Sequence, residues 1–392
     1  MSLIKNEIHW VGFIDGNLRN FHGYATPAGS TYNAFIVLDE KPTLIDTVKS
    51  YGFDEMLARI RAVIDPANIR YIISNHTEMD HSGTIEQLLA YCPQAEVVCS
   101  PKGEEGLRRH FKKNWKFKVV NTGDTLSIGR RSLQFFLMPM VHWPDSMATY
   151  SPADRILFPN DAFGQHIASP ERFADEYGID RVCEQAAKYY ANIVMPYGNQ
   201  VVKVLEALQA LPLEMILPSH GLFWRRPEDI RRIVDLYGRW ARYEAENRAV
   251  IIYDSMWHST EKMAQALFYA IEKENIPVSL LSLQTSGLSD VITEVMRSKC
   301  VLVGSSILNN NVLPTVGAFL TYVRGLKPRN RYGVTFGSYG WSTVGFKMLT
   351  DFLREAGIEP MDDGHYVRYI PDAAELAQLC AVAAEVKKRL TT

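Results

Sequence analysis

The sequence has no C-x-x-C pair: its five cysteines, Cys92, Cys99, Cys183, Cys300 and Cys380, stand far apart. That excludes a cysteine-built zinc ribbon or rubredoxin-type iron site, and the odd, scattered set argues against a disulfide framework. No apolar run approaches the roughly 20 residues that a membrane helix needs. The opening stretch from Met1 to Glu7 lacks the long apolar segment of a secretory signal, so a cytoplasmic location is expected. Charge of one sign is not in excess either. The formal net charge of −2 points to neither nucleic acid nor a membrane surface as partner. Internal repeats and low-complexity segments are also missing.

What remains is a globular composition, 47% hydrophobic and 22% charged, in a chain of 392 residues. That length is too great for one ordinary core and suits two domains. The composition shifts after Asn247-Arg248, so the expected domains are 1–248 and 249–392.

In the first segment, Asn33 to Leu38 and Pro42 to Asp46 read as a hairpin joined by Asp39-Glu40-Lys41. Met56, Leu57, Ile60, Val63 and Ile64 give helical spacing over Asp54 to Ile64, and a second helix is expected near Thr84 to Tyr91. Ile69 to Ser74 reads as a buried strand, with further strands at Glu96 to Ser100, Leu133 to Met138 and Ile156 to Pro159. Helices are expected over Asp180 to Ala191 and Ile230 to Glu246. In the second segment, strands beginning at Ala249, Val278, Cys300, Gly333 and His365 alternate with helices at Glu261 to Glu274, Val316 to Arg324, Thr343 to Ala356 and Asp372 to Arg389. That alternation predicts a doubly wound parallel sheet of flavodoxin type.

Directly after the strand Ile69 to Ser74 comes His76-Thr77-Glu78-Met79-Asp80-His81, with four potential metal ligands in six residues. Alternation in an extended segment sends His76, Glu78 and Asp80 to one side, with His81 following at a turn. Two metals could share such a loop, one taking His76 and Glu78, the other Asp80 and His81. Three more candidates follow strands: His142, Asp161 and His220. Any one of them alone would more simply be a paired core residue. Seven post-strand positions can be gathered by a sheet on one rim, where open layered folds place their chemistry.

The segment Ser255-Met256-Trp257-His258-Ser259-Thr260 joins the first strand of the second domain to its first helix. A hydroxyl-rich loop at a helix N-terminus offers free N–H groups and the positive end of the helix dipole, which suits a phosphate. It lacks G-x-x-x-x-G-K and G-x-G-x-x-G, so neither a nucleoside triphosphate nor an NAD fingerprint is present. Two later loops follow core strands: Gly304-Ser305-Ser306-Ile307-Leu308-Asn309 and Gly337-Ser338-Tyr339-Gly340-Trp341. Their glycines permit close approach of backbone to a ring, and their aromatics supply flat stacking surfaces.

The ligand pattern resembles the metallo-β-lactamase superfamily, whose dizinc hydrolases carry H-x-H-x-D-H. Here Glu78 replaces the second histidine, adding a hard anionic oxygen that suits iron better than a histidine-rich set does. H-x-E-x-D-H followed by separate His, Asp and His resembles the flavodiiron proteins, and the three loops resemble FMN sites of flavodoxin-like domains. Ser306-Ile307 departs from the Pro-Thr common in that family. The resemblance implies a metallo-β-lactamase-like αββα sandwich followed by a flavodoxin-like sheet. It implies two irons, one on His76, Glu78 and His142, the other on Asp80, His81 and His220, with Asp161 bridging. It implies a diiron/FMN reductase acting on O2 or NO, an external donor (rubredoxin or a reduced deazaflavin coenzyme), and a head-to-tail homodimer or a dimer of dimers. His22 resembles a family position near the diiron pocket; Tyr197 is a second candidate for hydrogen-bond or proton donation, and His166 for a supporting partner. Two other readings stay open: a zinc hydrolase fused to a flavodoxin, and an electron carrier with a non-catalytic first domain.

Overall fold

Neighbouring side chains on a strand point to opposite faces, and the strand Phe35–Val37 follows this in the computed structural model, which describes residues 2–391. Phe35 and Val37 enter one core with Ile45, Ile73 and Val98. Ile36 enters another with Leu44, Ile72 and Val97. Both faces are apolar, as a sheet covered on each side requires.

That sheet runs, in spatial order, Ser2–Lys5, Ile8–Trp10, Phe35–Val37, Thr43–Ile45, Tyr71–Ile73, Glu96–Cys99 and Phe117–Val119. It is antiparallel as far as Thr43–Ile45 and parallel beyond it. A second sheet orders Thr125–Ser127, Ser132–Leu137, Met147–Ser151, Ile156–Phe158 and Met215–Ile216. Its Leu133, Phe135, Met147 and Phe158 share the core of Phe35 and Val98, so the two sheets pack face to face. Helices Phe53–Arg61, Ile85–Leu89 and Pro101–Phe111 cover the other face of the first sheet through Met56, Leu57, Ile60, Leu88 and Leu107. This is the expected metallo-β-lactamase-like sandwich. These elements belong to a compact unit of residues up to His22, Thr26–Tyr189 and Asn199–Gly238.

The second unit comprises Gly23–Ala25, Tyr190–Gly198 and residues from Arg239 onward. Its sheet is ordered Val278–Ser282, Glu246–Tyr253, Ser298–Leu308, Arg331–Tyr339, with Ile358–Pro360 and His365–Arg368 both pairing with Arg331–Tyr339. All of these pairings are parallel, the doubly wound flavodoxin-type arrangement. Ala249, Ile251, Leu302, Val334 and Phe336 meet Met263, Leu267 and Ile271 of helix Ser259–Lys273 in the core.

Several expected elements differ in extent. The helix read to Glu246 spans Pro227–Ala241, because Tyr243 adopts φ +55° and breaks it, and Glu246 already opens the next strand. The segment Ser305–Leu308, read as loop, continues the strand Ser298–Leu308. Asn309 and Asn310, at φ +51° and +59°, then turn the chain back as a hairpin with Asn311–Val312. The last expected helix is two, Ala373–Cys380 and Val382–Thr391.

Candidate metal centre and flavin pocket

The strand Tyr71–Ile73 delivers His76 to the rim of its sheet, and the chain then turns helical over Met79–Ser82. Alternation therefore stops before Asp80. Ser82 donates its hydroxyl to Thr77 O at 2.7 Å and its N–H to Glu78 O at 3.0 Å, and this turn carries Asp80 and His81. His142 follows the strand Ser132–Leu137, Asp161 follows Ile156–Phe158, and His220 follows Met215–Ile216. The fold gathers all seven into two groups, His76 with Glu78, His142 and Asp161, and Asp80 with His81 and His220. Within each group, one candidate ligand atom per residue lies within 4.8 Å of the others.

Asp161 connects the groups. Its Oδ2 is 3.1 Å from His142 Nε2 and 3.7 Å from His76 Nε2. Its Oδ1 is 3.1 Å from His81 Nε2 and 3.4 Å from His220 Nε2. Asp80 Oδ2 lies 3.3 Å from His81 Nε2 and 3.2 Å from His220 Nε2, and Glu78 Oε2 3.4 Å from His76 Nε2. His76 Nε2, both nitrogens of His81, both oxygens of Asp80 and Asp161 Oδ2 are buried without a hydrogen bond. Buried polar atoms normally find partners. A cluster of carboxylate oxygens and imidazole nitrogens turned on one another without partners fits cations placed between them.

Supporting groups set which nitrogen faces inward. His76 Nδ1 lies 3.0 Å from Asp145 Oδ2, which also accepts the Thr77 N–H at 2.7 Å. His220 Nδ1 lies 2.8 Å from Thr31 O; a carbonyl only accepts, so Nδ1 carries the proton and Nε2 is bare. Ser219 donates to Asp161 Oδ1 at 2.8 Å. Asp46 accepts the Asn75 N–H at 2.8 Å and the Asn160 side-chain amide at 3.2 Å, tying together the residues that precede His76 and Asp161. Burial alone would lower the pKa of His81, but Asp80 and Asp161 outweigh it and raise it to about 9. Burial likewise opposes, and Asp145 and Glu78 overcome, a shift that raises His76. Desolvation pushes Asp80 and Asp161 up, yet the neighbouring histidines hold both below the usual carboxylate range.

His22 is exposed, at φ +53°, with Nε2 3.4 Å from Glu78 Oε1. His166 is buried beside His220, ring centroids 4.8 Å apart, with Nδ1 2.7 Å from Ser30 Oγ. Tyr197 falls in the second unit, in the short turn Met195–Tyr197, rather than among the seven. Asp145, Asp46 and Asn160 were missed by sequence reasoning. For Asp145 a signal existed, a carboxylate three residues after His142 in the same loop.

In the second unit, Met256, Trp257, Ser259, Ser306, Ile307, Leu308, Asn309, Ser338, Tyr339, Gly340 and Trp341 line a cavity of about 610 Å³. Tyr369 and Ile370, which the sequence did not single out, line it too. Trp257 and Trp341 are 85% and 87% exposed, an uncommon state for so large an apolar ring. The helix Ser259–Lys273 starts at the cavity, its first N–H groups free of intrahelical partners. Ser255 Oγ is buried without a hydrogen bond. His258, at φ +64°, pairs with Glu261 at 2.6 Å, and Thr260 Oγ1 lies 3.0 Å from the hydroxyls of Ser306 and Ser338, which line the cavity. Ser305 is placed differently from its expectation: its hydroxyl donates to Ser306 O and accepts the Leu313 N–H. A polar end at a helix N-terminus and an aromatic end fit a phosphorylated flavin. Glycine is required behind this wall, since a Cβ on Gly337 would stand 2.0 Å from Ser305 O.

Residues 30–221 match the ODP family beta lactamase domain and residues 251–381 the flavodoxin domain. The chain is 41% identical to a nitric oxide reductase of Moorella thermoacetica, over 99% of this chain and 98% of that protein. It superposes on the rubredoxin oxygen:oxidoreductase from Desulfovibrio gigas with a TM-score of 0.97 at 39% identity, covering 100% of this chain and 98% of that one. The flavodiiron protein from Giardia intestinalis aligns at TM-score 0.95 and 33% identity, over 98% and 95% of the two chains. With a carboxylate-bridged double cluster in one unit and a flavodoxin-type pocket in the other, the chain belongs to the flavodiiron proteins, a family of oxidoreductases.

Proposed function

We propose that this chain is a diiron and FMN reductase that converts O2 to water, NO to N2O, or both, with electrons from an external donor. The observation that carries the reading is Asp161, whose two oxygens face the two ligand groups separately. His76, Glu78 and His142 would hold one iron, Asp80, His81 and His220 the other, and Asp161 would bridge them. Glu78 makes the set four histidines and three carboxylates, a composition suited to iron. When bound, the irons supply a reducing centre for the gas and FMN supplies one- or two-electron transfer.

The chain's own groups do the rest. Asp145 and Thr31 hold the Nδ1 protons of His76 and His220, keeping each Nε2 available as a donor. His22, exposed and 3.4 Å from Glu78, stands where a proton from water can be handed inward. Phe21 packs edge-on to the His220 ring and Trp143 edge-on to His76, limiting water around the ligands. In the second unit, the N-terminus of helix Ser259–Lys273 would hold the FMN phosphate, and Tyr339, Trp341 and Trp257 of the cavity lining would hold its ring system.

The relatives' names, nitric oxide reductase and rubredoxin-oxygen oxidoreductase, support both gases and a rubredoxin donor; a reduced deazaflavin coenzyme is the alternative donor. A cytoplasmic location is part of the proposal; no helix among the described residues is long and apolar enough to cross a membrane. A head-to-tail homodimer or dimer of dimers, and domains of 1–248 and 249–392, complete the proposal. Steady-state turnover with O2 and with NO, side by side and with reduced rubredoxin supplied, tests it alongside metal analysis. Iron with gas-dependent oxidation of the donor is expected. Zinc without iron, or no oxidation by either gas, overturns it.

A further inference from the structure

The strands Phe13–Asp15 and Ser30–Tyr32 pair antiparallel, with Phe13 opposite Tyr32 and Asp15 opposite Ser30. Residues two apart on a strand share a face, so Phe13, Asp15 and Tyr32 lie on one side of this ribbon. Tyr51, in the short turn Ser50–Gly52, packs against that side. Its ring is edge-on to Phe13 at 5.8 Å, and its hydroxyl donates to Asp15 Oδ2 at 2.5 Å. Tyr51 is 59% exposed, whereas Tyr32 and Asp15 are buried. The Tyr32 hydroxyl lies 3.5 Å from that of Tyr51, and its ring meets the His220 imidazole edge-on, centroids 5.6 Å apart. The same strand holds His220 through Thr31 O. Two phenols thus lead from a candidate metal ligand to the surface, with a carboxylate at the outer end.

A row of phenols can carry a proton or an electron, and geometry separates the two. A proton needs an unbroken chain of hydrogen bonds to the ligand group. Here the inner contact is ring on ring, the His220 Nδ1 proton is held by Thr31 O, and the Tyr32 hydroxyl meets Tyr51. An electron needs only close contact between the π-systems. Lys49 Nζ stands 5.1 Å from the centre of the Tyr32 ring, so a positive charge is disfavoured there. Tyr51 is the better resting place for an oxidising equivalent, because Asp15 can take its proton as the electron leaves. Partial desolvation and the bond to Asp15 push the Tyr51 pKa up to about 12, so the phenol keeps that proton until it is oxidised.

We propose that Tyr32 and Tyr51 form an escape route for an oxidising equivalent, which spares the metal ligands when dioxygen oxidises the centre and no donor electron is at hand. The inference rests on the diiron and dioxygen reading above. In the step, one electron passes from Tyr51 by way of Tyr32 to the oxidised centre, which is reduced by one electron. The Tyr51 O–H bond breaks, its proton goes to Asp15 Oδ2, and a neutral phenoxyl radical remains at the surface. Tyr32 ends with its own O–H intact. A reductant in solution, such as ascorbate, returns one electron to Tyr51, and Asp15 returns the proton.

The test uses the full chain loaded with iron and FMN, reduced, freed of donor, mixed with excess O2 and freeze-quenched for electron paramagnetic resonance. Peptide mass spectrometry then measures oxidation of His81, His142 and His220 after repeated cycles. An organic radical is expected in the wild type, its signal narrowed when ring-deuterated tyrosine is incorporated. Tyr51→Phe should remove most of it, and Tyr32→Phe and Asp15→Asn should each lower it several-fold. Oxidation of the ligand histidines should rise several-fold in Tyr51→Phe, while its melting temperature and its turnover with donor in excess hardly move. Absence of a tyrosine radical in the wild type overturns the proposal. So does a Tyr51→Phe protein in which either the radical or the histidine oxidation is unchanged. Reduced wild type that O2 fails to reoxidise overturns the dioxygen reading instead.

Discussion

Asp145 shows what a single side chain contributes without being a candidate ligand. It accepts from His76 Nδ1 and from the Thr77 N–H, and so fixes both the ring and the backbone that lead into the cluster. Asp145→Ala should weaken metal affinity roughly 10–100-fold while leaving the fold intact, as a competition titration with a chelator would measure. A second residue-scale expectation concerns pH. In the metal-free protein His81 is raised from 6.5 to about 9, burial being outweighed by Asp80 and Asp161. The stability from protonated His81 is therefore fully present below pH 6.5 and lost as pH rises through about 9. A metal must displace that proton, so affinity should climb with pH across the same window and level off above it. Affinity falling as pH rises from 6.5 to 9 would count against His81 as a ligand. The seven candidate ligands were legible because each follows a strand, and the motif concentrates four of them in six residues. Asp46 and Asn160 were not, since only the folded sheet brings residues 46, 75 and 160 to one carboxylate.

At the scale of elements, the tightest constraints lie where the chain turns beside a site. Gly221, at φ +76°, follows His220, and a Cβ there would stand 1.4 Å from Gln165 Oε1 and 2.2 Å from Gln165 O. Gly221→Ala should lower the melting temperature and release metal from the Asp80, His81 and His220 group first, as calorimetry paired with metal analysis would reveal. In the second unit, Arg331 opens its strand as a residue only 2% exposed, with no carboxylate among the described residues paired to it. It donates to Tyr243 O at 2.7 Å, Arg329 O at 2.6 Å, Val295 O at 3.3 Å and to Met296 O, while burial pushes its pKa down to about 10. Arg331→Ala strands these carbonyls and should cost about 3–5 kcal/mol in chemical denaturation. Sequence periodicity found the long amphipathic helices and the parallel core strands of this unit. It missed Met147–Ser151 in the first unit, whose five residues are all buried and include Thr149 and Ser151. Thr149 donates to Asn75 Oδ1 at 2.8 Å, so its burial is paid for by a partner 74 positions away that no local pattern announces. It also read Ser305–Leu308 as loop, because serine and glycine look like punctuation until the neighbouring strand supplies the register Ser305 to Gly337 and Ser306 to Ser338.

For the whole molecule, one chain carries two sites with complementary chemistry: a cluster of bare imidazole nitrogens and carboxylates, and an aromatic cavity at a helix N-terminus. Neither site alone defines a gas reductase. The first would serve a hydrolase and the second an electron carrier, and Glu78 in place of a histidine is what shifts the first toward iron. The central claim is that electrons placed in the protein leave it to O2 or NO. Anaerobic single turnover tests this most directly: the iron- and FMN-loaded chain is reduced, mixed with one gas at a time, and followed by flavin absorbance and iron spectroscopy. The account predicts rapid reoxidation of both centres by at least one gas, with water or N2O as product, and a slower flavin phase in Asp145→Ala. Flavin and iron that stay reduced in the presence of both gases would contradict it.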